Sequence, residues 1–530
     1  MNLNKFLAGV ALAAILASCS GKNEDKPTPK TPGTLTSLAL LASDNSDLTE
    51  DIVISDITSS APMVVRIDGG GKGKTLVATV TAGENDVITD GAGSVITNGK
   101  ITFDASYALD IIVRNTESKL STAYELKVGK ILKTAVTKLA SYYEENAETG
   151  MTKYFNMAIN PADGAPYIVY LRKATVEGVT DAYNLASVVK WNPSSQKMEL
   201  VGAPGFPSEA VKAVSIPLYI SFDKNNAPEV LYSGGEVANL LSAKKYNGSS
   251  WADLGTPGFG EKCSTSMGTS EIYKHPVSGD MGLFITSYVS KSDANYRCHV
   301  NFSFDGSSWS TKHDVLAGIP KASGTSNVFY CAGGVNTSSA AYVITSANGN
   351  GYSVYKSADG DSWSNVVNNF LPDGSEYGVP SPVLRLDKDG NIYAFVANVS
   401  AKTIQAYKLD ESKATLVPYA SGLAVHYNDK DTPDEGAAMA INPVTNEFFA
   451  AKVNKGTSKI EWFVIDPDTK QWTESKTIED AGTSPAACQV AYNASGVGYL
   501  SYFLQTMVEG KTITTIELCK IDFEDDILPE

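Results

Sequence analysis

Arginine is nearly missing from this chain: it occurs only as Arg66, Arg114, Arg172, Arg297 and Arg385. Histidine is as scarce, with 4 residues (His275, His299, His313 and His426), and charged residues together make up only 19%. What charge there is leans one way, 43 Lys and Arg against 59 Asp and Glu, a formal net of −16. Binding to nucleic acid needs a basic face that displaces counterions, so that class is excluded. The 6 cysteines form no CxxC pair and no Cys/His spacing of the zinc type. Most stand in apolar runs, where a thiol behaves as a small hydrophobe. A bridge between Cys263 and Cys298 stays open as an alternative, although a chain this long needs no covalent staple.

What the chain does have is apolar residues at 43%, 26 tyrosines, 44 glycines and abundant Ser, Thr and Asn. This is the composition of a β-rich, extracellular protein. At 530 residues it is too long for one ordinary domain. The N-terminus agrees with export. Lys5 precedes an apolar stretch from Phe6 to Leu16, and Leu16-Ala17-Ser18-Cys19 follows. The stretch is too short to span a bilayer and ends in small residues, as a signal peptide does.

Residues 1–18 therefore read as the signal peptide and 19–33 as a polar, Pro-rich tether. Residues 34–129 show short alternating runs, among them Met63–Ile67, Thr75–Val80, Leu109–Val113 and Ala123–Val128. About seven strands in so short a span predict a β-sandwich. Gly69-Gly70-Gly71-Lys72-Gly73-Lys74-Thr75 lacks the spacing of a phosphate loop and a following helix. It reads as a hairpin loop.

From Lys130 onward one pattern recurs roughly every 55 residues, with four short apolar runs per unit. Its clearest mark is a turn followed by Trp: Asn247-Gly248-Ser249-Ser250-Trp251, Asp305-Gly306-Ser307-Ser308-Trp309 and Asp359-Gly360-Asp361-Ser362-Trp363. Weaker copies are Trp191–Ser195 and Asp466–Trp472. This periodicity predicts a β-propeller over 130–530. Innermost strands are expected at Tyr154–Ile159, Pro217–Phe222, Ser270–Tyr273, Asn327–Tyr330, Pro382–Leu386, Ala437–Ile441 and Gln489–Tyr492. That makes seven blades. The last is one strand short, and Ile131–Tyr143 either supplies the missing outer strand or is a linker beside a three-stranded blade. The fold class is thus all-β, a sandwich followed by a seven-bladed propeller.

Three resemblances add to this. Leu16-Ala17-Ser18-Cys19 resembles a bacterial lipobox, which implies cleavage before Cys19 and lipidation of its thiol and new amino group. Glu24-Asp25 just behind it is similar to the surface-export signals of Bacteroidetes lipoproteins, and the strands from Leu35–Leu40 to Tyr124–Val128 resemble their Ig-like or cadherin-like N-terminal modules. The Asp-Gly turns before Trp309 and Trp363 are similar to the Asp box of sialidase-like propellers, with one residue fewer between Asp and Gly. In that family the motif is a folding device away from the active face. The resemblances imply an outer-membrane, cell-surface lipoprotein and a glycan or other extracellular ligand. They also imply membrane contact through the lipid alone, and an outer-membrane transport partner.

A sialidase needs three arginines converging on one carboxylate. Arg172, Arg297 and Arg385 fall at unlike places in their repeats, so that activity is not expected. The connections that lead into innermost strands carry the remaining candidates. Residues 425–436 contribute His426, Tyr427, Asp434 and Glu435, and residues 369–380 contribute Tyr377. As solvated loops they need no function; as a patch they suit a carbohydrate, since Tyr offers an apolar face and a polar tip. Asp434 and Glu435 also suit a glycosidase or lyase reaction. A protein-adhesion role would require a large apolar patch on a ring face. No cofactor is expected, although Ca²⁺ is an ion that the acidic loop could hold.

Overall fold

The computed structural model describes residues 31–67, 70–130, 134–144, 151–174, 183–207, 212–235, 237, 240–259, 272–277, 279, 281–288, 297–313, 316, 329–347, 351–372, 382–398, 400–426, 437–454, 456–466, 470–473, 475–478, 484–509 and 511–523. No α-helix occurs among them. The chain divides into two compact units, Met1–Lys133 with Glu524–Glu530, and Thr134–Phe523.

The first unit contains eight strands: β1 (Leu35–Leu40), β2 (Ile52–Val53), β3 (Met63–Ile67), β4 (Thr75–Ala82), β5 (Asp86–Asp90), β6 (Lys100–Asp104), β7 (Leu109–Asn115) and β8 (Ser121–Lys130). They form two four-stranded sheets, β2-β1-β4-β6 and β3-β8-β7-β5. Alternation puts Leu38, Leu76, Ala78, Ile111, Val113 and Leu126 into one core fed by both sheets, as period-2 geometry requires. The strand beyond the seven expected is β5. Its DVITD sequence has acids at both ends and only Val87 and Ile88 as apolar signal.

The second unit is a ring of seven four-stranded antiparallel sheets. Blade 1 spans Met151–Leu200, blade 2 Lys212–Asp253, blade 3 Ile272–His313, blade 4 Phe329–Phe370, blade 5 Val383–Pro418, blade 6 Ala437–Ile478 and blade 7 Ser484–Phe523. Within blades 1 to 6, strands A to D follow in chain order. Blade 5 has a further short strand, Leu423–Ala424, against its strand C. The fourth strand of blade 7 is β9 (Thr134–Tyr142), which pairs with Lys511–Phe523 from Phe523↔Thr134 to Ile516↔Tyr142. The linker alternative is thereby excluded. Joining the first strand of the ring to its last blade covers two open edges, which otherwise invite intermolecular pairing. The A strands pack side by side: that of blade 1 touches those of blades 2 and 7, that of blade 4 those of blades 3 and 5, and that of blade 6 those of blades 5 and 7.

Each seam between blades has its own core. In strand B of blade 1, Tyr167, Val169 and Leu171 enter the core shared with blade 2, while Ile168 and Tyr170 enter the core shared with blade 7. Blade 5 does the same, with Ile392, Ala394 and Val396 facing blade 4 and Tyr393 and Phe395 facing blade 6. PEVLYSGG and IYAFVAN are covered on both sides and buried along their whole length, and the second reads as the near-continuous apolar run such a strand favours.

Side chains tie the seams together in two ways. In the turn-plus-Trp units, Asp305 Oδ1 accepts the Ser307 and Ser308 amides at 2.9 and 2.8 Å, and Asn247 does the same for Ser249 and Ser250. The Trp that follows reaches back to the preceding blade: Trp251 Nε1 donates to Val201 O at 2.7 Å, Trp309 Nε1 to Leu254 O at 2.7 Å, and Trp472 Nε1 to Ser421 O at 3.0 Å. Trp363 differs. Its indole donates to Gly360 O within its own turn and its ring packs edge-on against Tyr273 of blade 3. Trp191 lies on strand C, before the turn. The second device uses the residue after strand A. Asn160, Asn442 and Asn493 cap their own A–B turns. Their Nδ2 groups donate to Asn226 O, Gly496 O and Gly164 O in the A–B turn of the next blade. The last of these runs from blade 7 to blade 1.

A motif absent from the sequence reading receives the Trp rings. Val201-Gly202-Ala203-Pro204-Gly205-Phe206 and Leu254-Gly255-Thr256-Pro257-Gly258-Phe259 follow strand D of blades 1 and 2. Phe206 stacks on Trp251 at 4.8 Å and Phe259 on Trp309 at 4.2 Å. Buried Ser187 and Ser242 accept the amides of Gly205 and Gly258.

Candidate functional site

Because strands alternate in direction, the A–B and C–D turns share one face of the ring, and the B–C and D–A connections share the other. The two faces differ in construction. A–B turns are short, as from Leu386 to Ile392 or Tyr492 to Gly498, and their polar groups serve the clamps just described. D–A connections run as far as from Asp253 to Ile272 and from Pro418 to Ala437. Long connections on a rigid scaffold are where binding groups concentrate, so the D–A face is the candidate.

Its best-defined part is the seam of blades 7 and 1. β9 ends at Tyr142, and Tyr143 and Glu144 continue over that face. Arg172, near the end of strand B of blade 1, pairs through Nη1 with Glu144 Oε1 at 2.5 Å, both side chains being nearly buried. The Tyr170 hydroxyl donates to Glu144 Oε2 at 2.8 Å and lies 3.3 Å from the Tyr142 hydroxyl; the two rings meet edge to face at 5.8 Å. Burial pushes both phenols above the ordinary tyrosine range, Tyr170 furthest, and the Glu144 carboxylate adds to this. A phenol so raised keeps its proton at neutral pH. The cluster is a braced floor and supplies no phenolate base.

Two exposed rings belong to the same stretch of chain. Among the described Phe, Tyr and Trp residues of the ring, Tyr143, 43% exposed, and Tyr154, 45% exposed, are those that meet solvent most. Tyr154 lies in the first half of strand A of blade 1, the half nearer the D–A face. The sequence carried a signal for this seam in Tyr142-Tyr143-Glu144, which ends a strand with two rings and an acid, but Tyr143, Glu144 and Tyr154 were not among the expected site residues.

Of those expected residues, His426 is described: it is exposed and follows Val425, whose amide donates to Lys402 O in the B–C connection of blade 5. Tyr377, Tyr427, Asp434, Glu435 and the lipidation candidate Cys19 lie outside the described residues. Arg172 and Arg385 are engaged with different partners in different blades. Arg172 is held by Glu144, whereas Arg385 donates from Nε to Met439 O and from Nη1 to Leu384 O between strands A of blades 5 and 6. The Arg297 side chain lies outside the described residues. His275 occupies an A–B turn, on the opposite face, where its Nδ1 accepts the Val277 amide. Cys488 and Cys519 lie in the core between blades 6 and 7, and burial pushes the Cys488 thiol up to about 12; Cys263 and the Cys298 side chain are not described. No group of three His, Cys, Asp or Glu able to hold a metal occurs among the described residues.

No family model matches this sequence, and no curated protein matches it. Solved structures do show similarity. A protein of unknown function from Dyadobacter fermentans is 12% identical over 73% of this chain and 99% of its own, with a TM-score of 0.39. An α-L-arabinofuranosidase from Fusarium graminearum, in complex with an iminosugar inhibitor, is 12% identical over 73% of this chain and 98% of its own, with a TM-score of 0.36. An ulvan lyase of a new polysaccharide lyase family is 11% identical over 72% of this chain and 95% of its own, with a TM-score of 0.41. At these values the likenesses assign neither a family nor an activity.

Proposed function

We propose that this chain is a surface-anchored lipoprotein whose ring binds glycan on the face that carries the D–A connections. The supporting observation is the pair of exposed tyrosine rings, Tyr143, which precedes Glu144 of the Arg172–Glu144 pair, and Tyr154, in the half of strand A nearer that face. Exposed rings on a fixed support present an apolar surface to the C–H face of a sugar, at little cost in side-chain entropy. In this reading Tyr377, His426, Tyr427, Asp434 and Glu435 complete the face from blades 4 to 6. Cys19 carries the lipid, residues 19–33 are the tether and the N-terminal sandwich is an Ig-like spacer.

The competing reading is turnover, with Asp434 and Glu435 as acid and base. One experiment separates the two. The lipid-free chain from Lys22 onward is screened against a glycan array, with release of reducing ends or unsaturated products assayed alongside. Recognition predicts binding without release and about a tenfold loss of affinity, ~1.4 kcal/mol, in Tyr143→Ala and Tyr154→Ala at unchanged melting temperature. Release that is abolished by Glu435→Gln with binding retained would establish the enzyme instead.

A further inference from the structure

The opposite face holds a groove that the reading above does not use. It lies between the start of strand B in blade 4 and the A–B and C–D turns of blade 5, with a volume of about 560 Å³. Sites for small ligands fall between roughly 300 and 1,000 Å³.

Its origin is a substitution within the repeat. In blades 2 and 3 the residue opposite the end of strand C is Trp: Tyr246↔Trp251 and Phe304↔Trp309. In blade 5 the pair at that register is Asp410↔Thr415, with no aromatic ring, and the next pair, Leu409↔Leu416, turns to the seam with blade 4. Leu416 is buried in the blade 4–5 core, but it is far smaller than Trp and has no indole N–H to donate across the seam. Tyr342 and Lys356 of blade 4 bridge it instead. The Tyr342 hydroxyl donates to Glu411 Oε1 at 2.6 Å and Lys356 Nζ lies 2.9 Å from Glu411 Oε2.

The lining sets the chemistry of an occupant. Lys408, Lys413, Asp410 and Glu411 all border the groove, so its formal charges cancel. Both carboxylates already have cationic partners, Glu411 in Lys356 and Asp410 in Lys413 at 3.0 Å. A cationic ligand would have to displace one of these pairs, and an anionic one would lie against both carboxylates. A hydroxyl would only use lone pairs that remain open on carboxylates still partly in water, the Glu411 side chain being 41% exposed. Val417, 39% exposed, and Pro418 provide an apolar wall. Ring stacking contributes little, because one face of Tyr419 is taken by Phe448 at 4.7 Å.

We propose that this groove is a second binding site, on the face opposite the first, for a small neutral polyhydroxylated ligand of one or two sugar units, held by hydrogen bonds rather than by stacking. Saturation-transfer NMR on the full lipid-free chain tests it, with maltose, cellobiose, xylobiose and mannobiose as probes and glycylglycine as the zwitterionic comparison. Val417→Glu adds a charge at a half-exposed position and should leave the fold intact, which a melting curve verifies. Tyr143→Ala/Tyr154→Ala removes the first site. The expected result is transfer to at least one disaccharide that survives in the double tyrosine variant and falls at least fivefold in Val417→Glu. Absence of transfer from all four sugars, transfer unaffected by Val417→Glu, transfer lost in the tyrosine variant, or stronger transfer to glycylglycine would each overturn the proposal. Reading the fall caused by Val417→Glu on the double tyrosine background makes the outcome independent of whether the first face binds glycan.

Discussion

Gly255 sits at φ +75, and a β-carbon there would come within 2.8 Å of the Trp309 ring. Gly248, in the turn before Trp251, has φ +97 and open space around its missing side chain. The two positions separate backbone strain from collision. Gly248→Ala should cost only the left-handed backbone penalty, about 1–2 kcal/mol. Gly255→Ala should cost more, about 2–4 kcal/mol, because the Phe259–Trp309 stack must also shift. Urea unfolding of the two variants checks the order. Asp305 offers a pH test at the same scale. Amides of Ser308 and Ser307 hold its carboxylate at a pKa of about 2, below the 3.8 of a free side chain. A depressed folded value contributes stability that is present above pH 3.8 and is lost as pH falls through about 2. Asp305→Asn should therefore differ from the parent in melting temperature at pH 7, and the difference should shrink between pH 4 and pH 2.

The closing strand is the element on which the ring depends. β9 begins at Thr134, whose hydroxyl donates to the Glu447 carboxylate in the A–B turn of blade 6, at 2.5 and 2.6 Å to its two oxygens. Burial raises the Glu447 pKa, while Thr134 and Lys476 pull it down. The neighbouring Tyr492 phenol is buried and pushed up by its own desolvation and by the Glu447 charge. A carboxyl raised above its unfolded value weakens the fold while it is ionised, and that cost is relieved as pH falls through the folded pKa. Glu447→Gln should raise the melting temperature at pH 7.5 and have less effect at pH 4.5. Thr134→Val, which leaves a buried carboxylate without this donor, should cost about 1–3 kcal/mol at neutral pH. Removing β9 altogether would leave the strand from Lys511 to Phe523 as an open edge, and soluble aggregates by light scattering are the expected result.

At the scale of the whole molecule, seven seam cores close the ring, while the sandwich has a separate core. Units with separate cores need not melt together. Calorimetry of the lipid-free chain should resolve two transitions, and a fragment of residues 31–130 should reproduce the smaller one. The net charge of −16 disfavours polyanionic glycans by long-range repulsion. Any affinity for an acidic polysaccharide should therefore rise with salt, whereas affinity for a neutral one should not change.

Much of this architecture was written in the order of residues. Trp251, Trp309 and Trp363 behind Asn or Asp turns set the period, and the apolar runs of the A and B strands gave the number of blades, because a strand buried on both sides is mostly apolar. The acidic balance, the scarce arginine and the lipobox-like Leu16–Cys19 belong to the same reading, since each is a property of composition or local spacing. Other features depend on which residues meet across the fold. Glu144 became the partner of Arg172 only when the D–A connection brought it over strand B, and Thr415 mattered only against the Trp at the same register of blades 2 and 3. Tyr170 and Tyr154 are the same residue type 16 positions apart, Tyr170 fully buried and Tyr154 45% exposed; the packing of neighbouring blades decided which one meets solvent. Local sequence fixes strand and turn because their forces act over a few residues. Burial, pairing and the shape of a groove depend on what the ring closes against.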